Sequence, residues 1–127
     1  MKPQPKVKVW SSAVADKKFS AFIRSRDRVC VLCRRRPPEV VLTCSHYWGR
    51  YASSTRYDPQ NCDALCYGCH FKVENAKQGE YKEFKEKQLG KKAYDDLRRR
   101  YYQGKTTRRE AILKFMEVAS LGDEGRG

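Results

Sequence analysis

The chain has 127 residues, 28 basic side chains against 15 acidic ones and a formal charge of +13, so it has the size of one domain and a strong attraction to polyanions. With 39% hydrophobic residues and a mean hydropathy of −0.88, the core is small and calls for a metal or disulfide staple. Met1 to Trp10 carries no apolar run of a signal peptide and no segment reaches the length of a membrane span, which excludes a membrane partner and points to a reducing, cytoplasmic compartment. There, the six cysteines mean metal ligation rather than a secreted disulfide framework.

Residues 1–12 alternate lysine, proline and valine and read as a loosely docked basic arm. A helix is expected over Asp16 to Arg28, capped by Asp16, with Phe19, Phe22 and Ile23 on one stripe. Cys30-Val-Leu-Cys33 and the basic turn Arg34-Arg35-Arg36-Pro37-Pro38 follow. Val40 to Leu42 begin a short strand ending near Cys44-Ser45-His46; residues 47–63 are loop-like, with a turn at Asp58-Pro59. A second strand covers Cys62 to Leu65, and a helix runs from Tyr67 or Gly68 to Lys77, with His70 in its first turns. Three further helices are marked by Tyr81, Phe84 and Leu89, then by Ala93, Tyr94, Leu97 and Tyr101, then by the capping box Thr107-Arg-Arg-Glu110 with Gly122 as C-cap.

The cysteines carry the clearest chemistry. Cys30/Cys33 and Cys66/Cys69 form two C-x-x-C clamps whose two-residue gaps let both sulfurs face one tetrahedral zinc ion. Cys44 and Cys62 read as core residues on adjacent strands, the lesser alternative being a second zinc site with His46 and His70. A strand with His46, a loop with Asn61, a second strand and a helix with His70 is the order of a ββα-metal site. There, His46 would take a proton from water, Asn61 would orient it and His70 would reach a divalent ion.

This pattern resembles the zinc-bearing branch of the HNH endonucleases, and more closely the phage NinG/Rap recombination-protein family. The likeness runs through Lys18-Phe-Ser-Ala-Phe-Ile-Arg-Ser-Arg-Asp27, Ser45-His-Tyr47, Thr55-Arg-Tyr-Asp58 with Asn61, Cys66-Tyr-Gly-Cys69, Gln78-Gly-Glu-Tyr81 and Ala93-Tyr-Asp-Asp-Leu97, spanning about residues 17–100. The resemblance implies a small α+β fold: a zinc-stabilised HNH-like core with flanking N- and C-terminal helices. Its divisions are a basic arm at 1–15, the zinc-bound core at 16–80, a C-terminal helical region at 81–122 and a flexible tail at 123–127. It also implies a DNA endonuclease acting on branched recombination intermediates such as Holliday junctions and D-loops. His46 and Asn61 would be catalytic, and His70 would ligate Mg²⁺ or Mn²⁺ beside the structural Zn²⁺.

One departure matters. The family's acidic metal ligand precedes the base histidine by one or three positions, and here those positions are Ser45 and Thr43. A hydroxyl is a poor substitute for a carboxylate toward Mg²⁺, leaving Asp58 or Asp63 to supply the charge. Arg34, Arg35, Arg36, Arg50 and Arg56 are the expected DNA contacts, since guanidinium matches phosphate geometry. Tyr47, Trp48 and Tyr51 could stack on unpaired bases, although Trp48 suits the core better. The alternative to a nuclease is a non-catalytic zinc module that binds DNA in recombination; RNA binding by the arm and aromatic loop is a third reading. Symmetric junction cutting would require a homodimer.

Overall fold

A computed structural model describes residues 8–124, with side chains described to residue 120. Six helices and two strands follow in the order α1 (Ser12–Asp27), β1 (Leu42–His46), α2 (Ser53–Arg56), β2 (Cys62–Cys66), α3 (Tyr67–Asn75), α4 (Gln78–Leu89), α5 (Lys91–Gln103) and α6 (Arg108–Glu124), with a 3-10 turn at Pro59–Asn61. The result is a small α+β fold built around a two-stranded sheet. No helix among the described residues is long and apolar enough to cross a membrane.

Helix α1 begins earlier than its periodicity suggests. The Ser11 side chain accepts from Val14 N at 3.2 Å and caps the helix, so Asp16 lies inside it and is free for a tertiary role. Ala15, Phe19 and Ile23, spaced by four, are its buried stripe. The helix stops at Arg28, whose φ of 64° is left-handed and whose N–H bonds Arg24 O at 2.9 Å.

The strands pair antiparallel, Thr43 opposite Leu65, Ser45 opposite Asp63 and His46 opposite Cys62. The outer edge of β2 is occupied by α1 and the first knuckle. Arg26 donates to Cys62 O at 2.7 Å, Ala64 N donates to Asp27 Oδ2 at 2.9 Å, and Val31 N donates to Ala64 O at 3.0 Å. Since these Cys62 and Ala64 groups point outward, the pairs His46–Cys62 and Cys44–Ala64 are the narrow, non-hydrogen-bonded ones, in which facing side chains come closest. Strand alternation then divides the sheet. Leu42, Cys44, His46, Cys62 and Ala64 face α1, while Thr43, Ser45 and Asp63 face α3 and α4.

Two aromatic clusters close the fold. Phe115 of α6 meets Phe19 at 5.1 Å, Phe22 at 6.0 Å, Tyr57 at 6.0 Å and Trp10 at 5.9 Å, so the C-terminal helix completes the core that α1 begins. Trp10, expected in a loose arm, is therefore packed; residues 1–7 of that arm and residues 125–127 of the expected tail lie outside the described residues. On the other side Trp48 stacks on Tyr101 of α5 at 5.3 Å, and Tyr47 bonds Tyr94 through their hydroxyls at 2.8 Å. Gly104 ends α5 where a Cβ would lie 2.3 Å from Arg100 O and 2.4 Å from Ser54 Cβ, a close approach that admits glycine alone. The capping box forms, with Glu110 N donating to Thr107 Oγ1 at 3.1 Å, but α6 runs through Gly122 to Glu124 rather than ending there.

Candidate functional site

The four clamp sulfurs converge within 4.8 Å of one another. Cys33 Sγ and Cys66 Sγ are 3.8 Å apart, which is the edge of a tetrahedron with metal–sulfur bonds of about 2.3 Å. The first knuckle turns because Arg34 N donates to Cys30 O at 2.8 Å and Cys30 N donates to Arg35 O at 2.8 Å, with Arg34 at a left-handed φ of 69°. In the second, Cys66 caps α3 and accepts from Cys69 N at 3.5 Å. Burial raises the Cys30 thiol, but N–H groups of Cys33, Cys66 and Leu32 aimed at its sulfur pull it down to about 7, favouring the thiolate that zinc requires. The donor set and its size fit structural zinc, which would tie the end of α1 to β2 and the start of α3.

His70 lies at the junction of β1 and α3. Thr43 Oγ1 donates to Leu65 O at 2.7 Å, so at the 2.8 Å contact between them His70 Nδ1 must donate to Thr43. His70 Nε2 then faces Glu74 Oε1 at 2.9 Å, one turn further along α3. Two acceptors at that distance need a proton or a cation between them, and Glu74 is the carboxylate beside His70. Neither Asp58 nor Asp63 plays that part. Asp58 Oδ2 accepts from Arg100 Nε at 2.8 Å, and its other oxygen caps the 3-10 turn through Gln60 N at 3.0 Å. Asp63 is fully buried on Lys85 at 2.7 Å, Tyr81 at 2.8 Å and Gln88 at 2.9 Å.

His46 is elsewhere. Its ring packs 6.1 Å from Phe19 on the α1 side of the hairpin, opposite the face that carries Thr43 and His70, so the two histidines are not brought to one ion. Its Nε2 lies 2.9 Å from Arg56 O, and because a carbonyl only accepts, Nε2 carries the hydrogen and Nδ1 the lone pair. Burial pushes His46 down to about 4, the Arg56 carbonyl offsetting only part of it, so the ring is neutral at physiological pH.

Asn61 does not touch the imidazole. It is completely buried, accepts from Trp48 N at 2.9 Å and donates to Trp48 O at 2.9 Å and Thr55 O at 3.0 Å. It therefore fixes the chain on both sides of the loop, and the residue after Thr55 supplies the carbonyl that His46 meets. Its action on His46 runs through main chain, not through a side-chain bond.

The arginines divide in the same way. Arg56 is a structural residue: it grips Asp16 with Nε at 3.0 Å and Nη2 at 2.6 Å, and Tyr57 donates to the same carboxylate at 2.8 Å. Its guanidinium, expected as a DNA contact, is taken up by this carboxylate and little exposed; the partner that sequence reading missed is Asp16, forty positions earlier. Arg50 is exposed and reaches Asp16 only at 3.9 Å. Arg34, Arg35 and Arg36 are exposed. Arg36 lines a shallow groove with Arg24 of α1 and its C-cap Arg28, beside Val40, Val41 and Leu42. Among the described residues no carboxylate pairs with Arg24, Arg28, Arg34 or Arg36. Arg24 and Arg28 were not singled out from sequence, nor were Tyr67 and Phe71, which stand 66% and 68% exposed one turn apart on α3. Tyr47 and Trp48 are committed to α5, while Tyr51 projects outward.

No family model, no curated protein and no solved structure matches this chain significantly.

Proposed function

We propose that this protein is a zinc-built DNA-binding module on an HNH-like frame, acting on branched recombination intermediates. The observation that carries the reading is the arginine groove. Arg28 and Arg34 both occupy left-handed backbone positions, φ 64° and 69°, where glycine is the relaxed choice and a side chain costs about 1–2 kcal/mol. Both are exposed cations without a carboxylate partner among the described residues, and Arg28 lines the groove together with Arg24 and Arg36. Backbone strain retained for unpaired positive charge is what phosphate binding would select. Tyr67 and Phe71 add two exposed rings suited to the unstacked bases of a branch point. The preference for branched DNA rests on the family resemblance.

The endonuclease reading has one specific observation in its favour. His70 Nε2 and Glu74 present a nitrogen and a carboxylate oxygen to the same space, a set able to hold Mg²⁺ or Mn²⁺ although the family's acidic positions before the base are here Thr43 and Ser45. The position of His46 weighs against it, because its ring packs against Phe19 on the face of the hairpin opposite the one that carries Thr43, His70 and Glu74.

Binding and cleavage of labelled four-way junction, flap, duplex and single-stranded DNA, with Mg²⁺, with Mn²⁺ and with EDTA, tests both. Tight junction binding that Arg28→Gly with Arg34→Gly weakens, with no cutting in any ion, is the expected result. Metal-dependent cutting abolished by His70→Ala and Glu74→Ala, at unchanged DNA affinity, would replace it with the nuclease. No preference for DNA over a neutral polymer, or for DNA over single-stranded RNA, would sink the DNA assignment.

A further inference from the structure

We infer that Cys44, His46 and Cys62 form a second soft-metal site, taking zinc, on the α1 face of the hairpin and separate from the four-cysteine cluster. The donor atoms of these three residues lie within 4.8 Å of one another. The register explains why they meet. His46 and Cys62 face each other across a narrow pair, and Cys44 lies two residues before His46 on the same side of β1. Two thiolates and an imidazole are a donor set for zinc or another soft ion, and a poor one for Mg²⁺.

The second observation is the orientation of the imidazole. A metal-bound histidine donates its other ring N–H to a carbonyl or carboxylate, which fixes both tautomer and ring plane. His46 Nε2 already donates to Arg56 O at 2.9 Å, so Nδ1 has the lone pair a metal would use. That carbonyl is itself positioned by a chain of contacts: Asn61 Nδ2 holds Thr55 O at 3.0 Å, and Asp16 grips the Arg56 side chain. A completely buried asparagine and an ion pair thus hold the Thr55–Arg56 segment from two sides, and the Arg56 carbonyl at its end meets the ring.

A disulfide is the other fate open to two neighbouring thiols, and the register argues against it. Cys44 faces Ala64 while Cys62 faces His46, which makes the cysteines a diagonal pair. Diagonal neighbours sit about 7–8 Å apart, beyond the usual ~4.4–6.8 Å Cα separation of a disulfide. None of the six cysteines is joined in a disulfide.

The inference extends beyond DNA binding and stands or falls independently of it, since its test reads metal content. The full chain is purified with zinc under reducing conditions, and metal per chain is measured by elemental analysis and native mass spectrometry. Two zinc ions per chain are expected, falling to one in Cys62→Ala and in His46→Phe. One ion per chain in the unmodified protein overturns the proposal. Cobalt titration of the metal-free chain supplies a readout that needs no variant to fold. The thiolate charge-transfer band should rise in two phases, the two-thiolate site adding about half the absorbance of the four-thiolate site. A single phase saturating at one equivalent would equally refute it.

Discussion

Replacing Lys85 with methionine should destabilise the fold by about 4 kcal/mol at pH 7. Lys85 and Asp63 are both fully inaccessible, and Lys85 Nζ donates to Gln60 O at 2.8 Å and Gln88 Oε1 at 2.8 Å as well as meeting Asp63 Oδ2 at 2.7 Å. Without the ammonium, Asp63 keeps bonds from Tyr81 and Gln88 but has no counter-charge. Breaking one side of a buried pair typically costs ~3–5 kcal/mol. Stability is measured by urea denaturation at pH 7 in zinc-saturated buffer, following fluorescence of Trp10 and Trp48, for Lys85→Met, Asp63→Asn and the double variant. The double variant should lose less than the sum of the two single changes, since neither partner is left charged and alone. A loss below about 1 kcal/mol in Lys85→Met, or strict additivity, would refute the claim that this pair is a closed structural unit rather than a reserve carboxylate for a metal.

Arg34→Gly and Arg28→Gly should each stabilise the protein by roughly 0.5–1 kcal/mol, relief of the left-handed backbone outweighing the added freedom of the unfolded chain. The same changes should weaken DNA binding and lower its salt dependence by about one counterion each; lost affinity with unchanged salt slope would argue against phosphate contact. Burial raises the Asp16 carboxyl, but hydrogen bonds from Arg56 and Tyr57 and the charges of Arg56 and Arg50 outweigh it and hold the group below the ordinary range. Its stabilisation is therefore complete above the unfolded value of about 4 and is lost as pH falls through the lower folded one. Asp16→Asn should be less stable than wild type at pH 7 and converge with it in acid; parallel acid limbs in thermal melts would contradict the assignment. Stripping zinc should abolish cooperative unfolding and near-ultraviolet circular dichroism together, restored by zinc but not by Mg²⁺. Retention of both signals in chelator would mean that the hairpin and helices hold without the metal.

The parts of the fold that local spacing determines were legible. Two C-x-x-C clamps can close on one ion whatever surrounds them, and the β-branched run before His46 gave β1 to within two residues. Parity along β1 also groups His46 with Cys44 and Thr43 with Ser45. Which face α3 covers is decided by packing, and no residue near His70 announces it, so the two histidines could be imagined at one ion. Arg56 looked like a free phosphate ligand because its partner, Asp16, is remote in sequence and resembled a helix cap. Lys85 was readable in principle: it falls four residues after Tyr81 and four before Leu89, on the inward stripe of α4, where a charge signals a buried partner. Asn61 was read as an orienting residue; the structure places its contacts on main chain, a distinction that composition does not encode.

The clasp along β2 bears on how copies of this chain can associate. A hairpin of two strands ordinarily offers its margins to any neighbouring polypeptide, and recruitment of a further strand is the readiest path to fibrils or swapped assemblies. Here Arg26, Asp27 and Val31 occupy the outward groups of Cys62 and Ala64 from within the same molecule. Sheet extension through β2 would first have to peel away the end of α1 together with the first cysteine clamp. Pairing of two copies through β2 is thereby closed, and partial loss of metal, by loosening that clamp, would expose the strand and turn the protein toward aggregation.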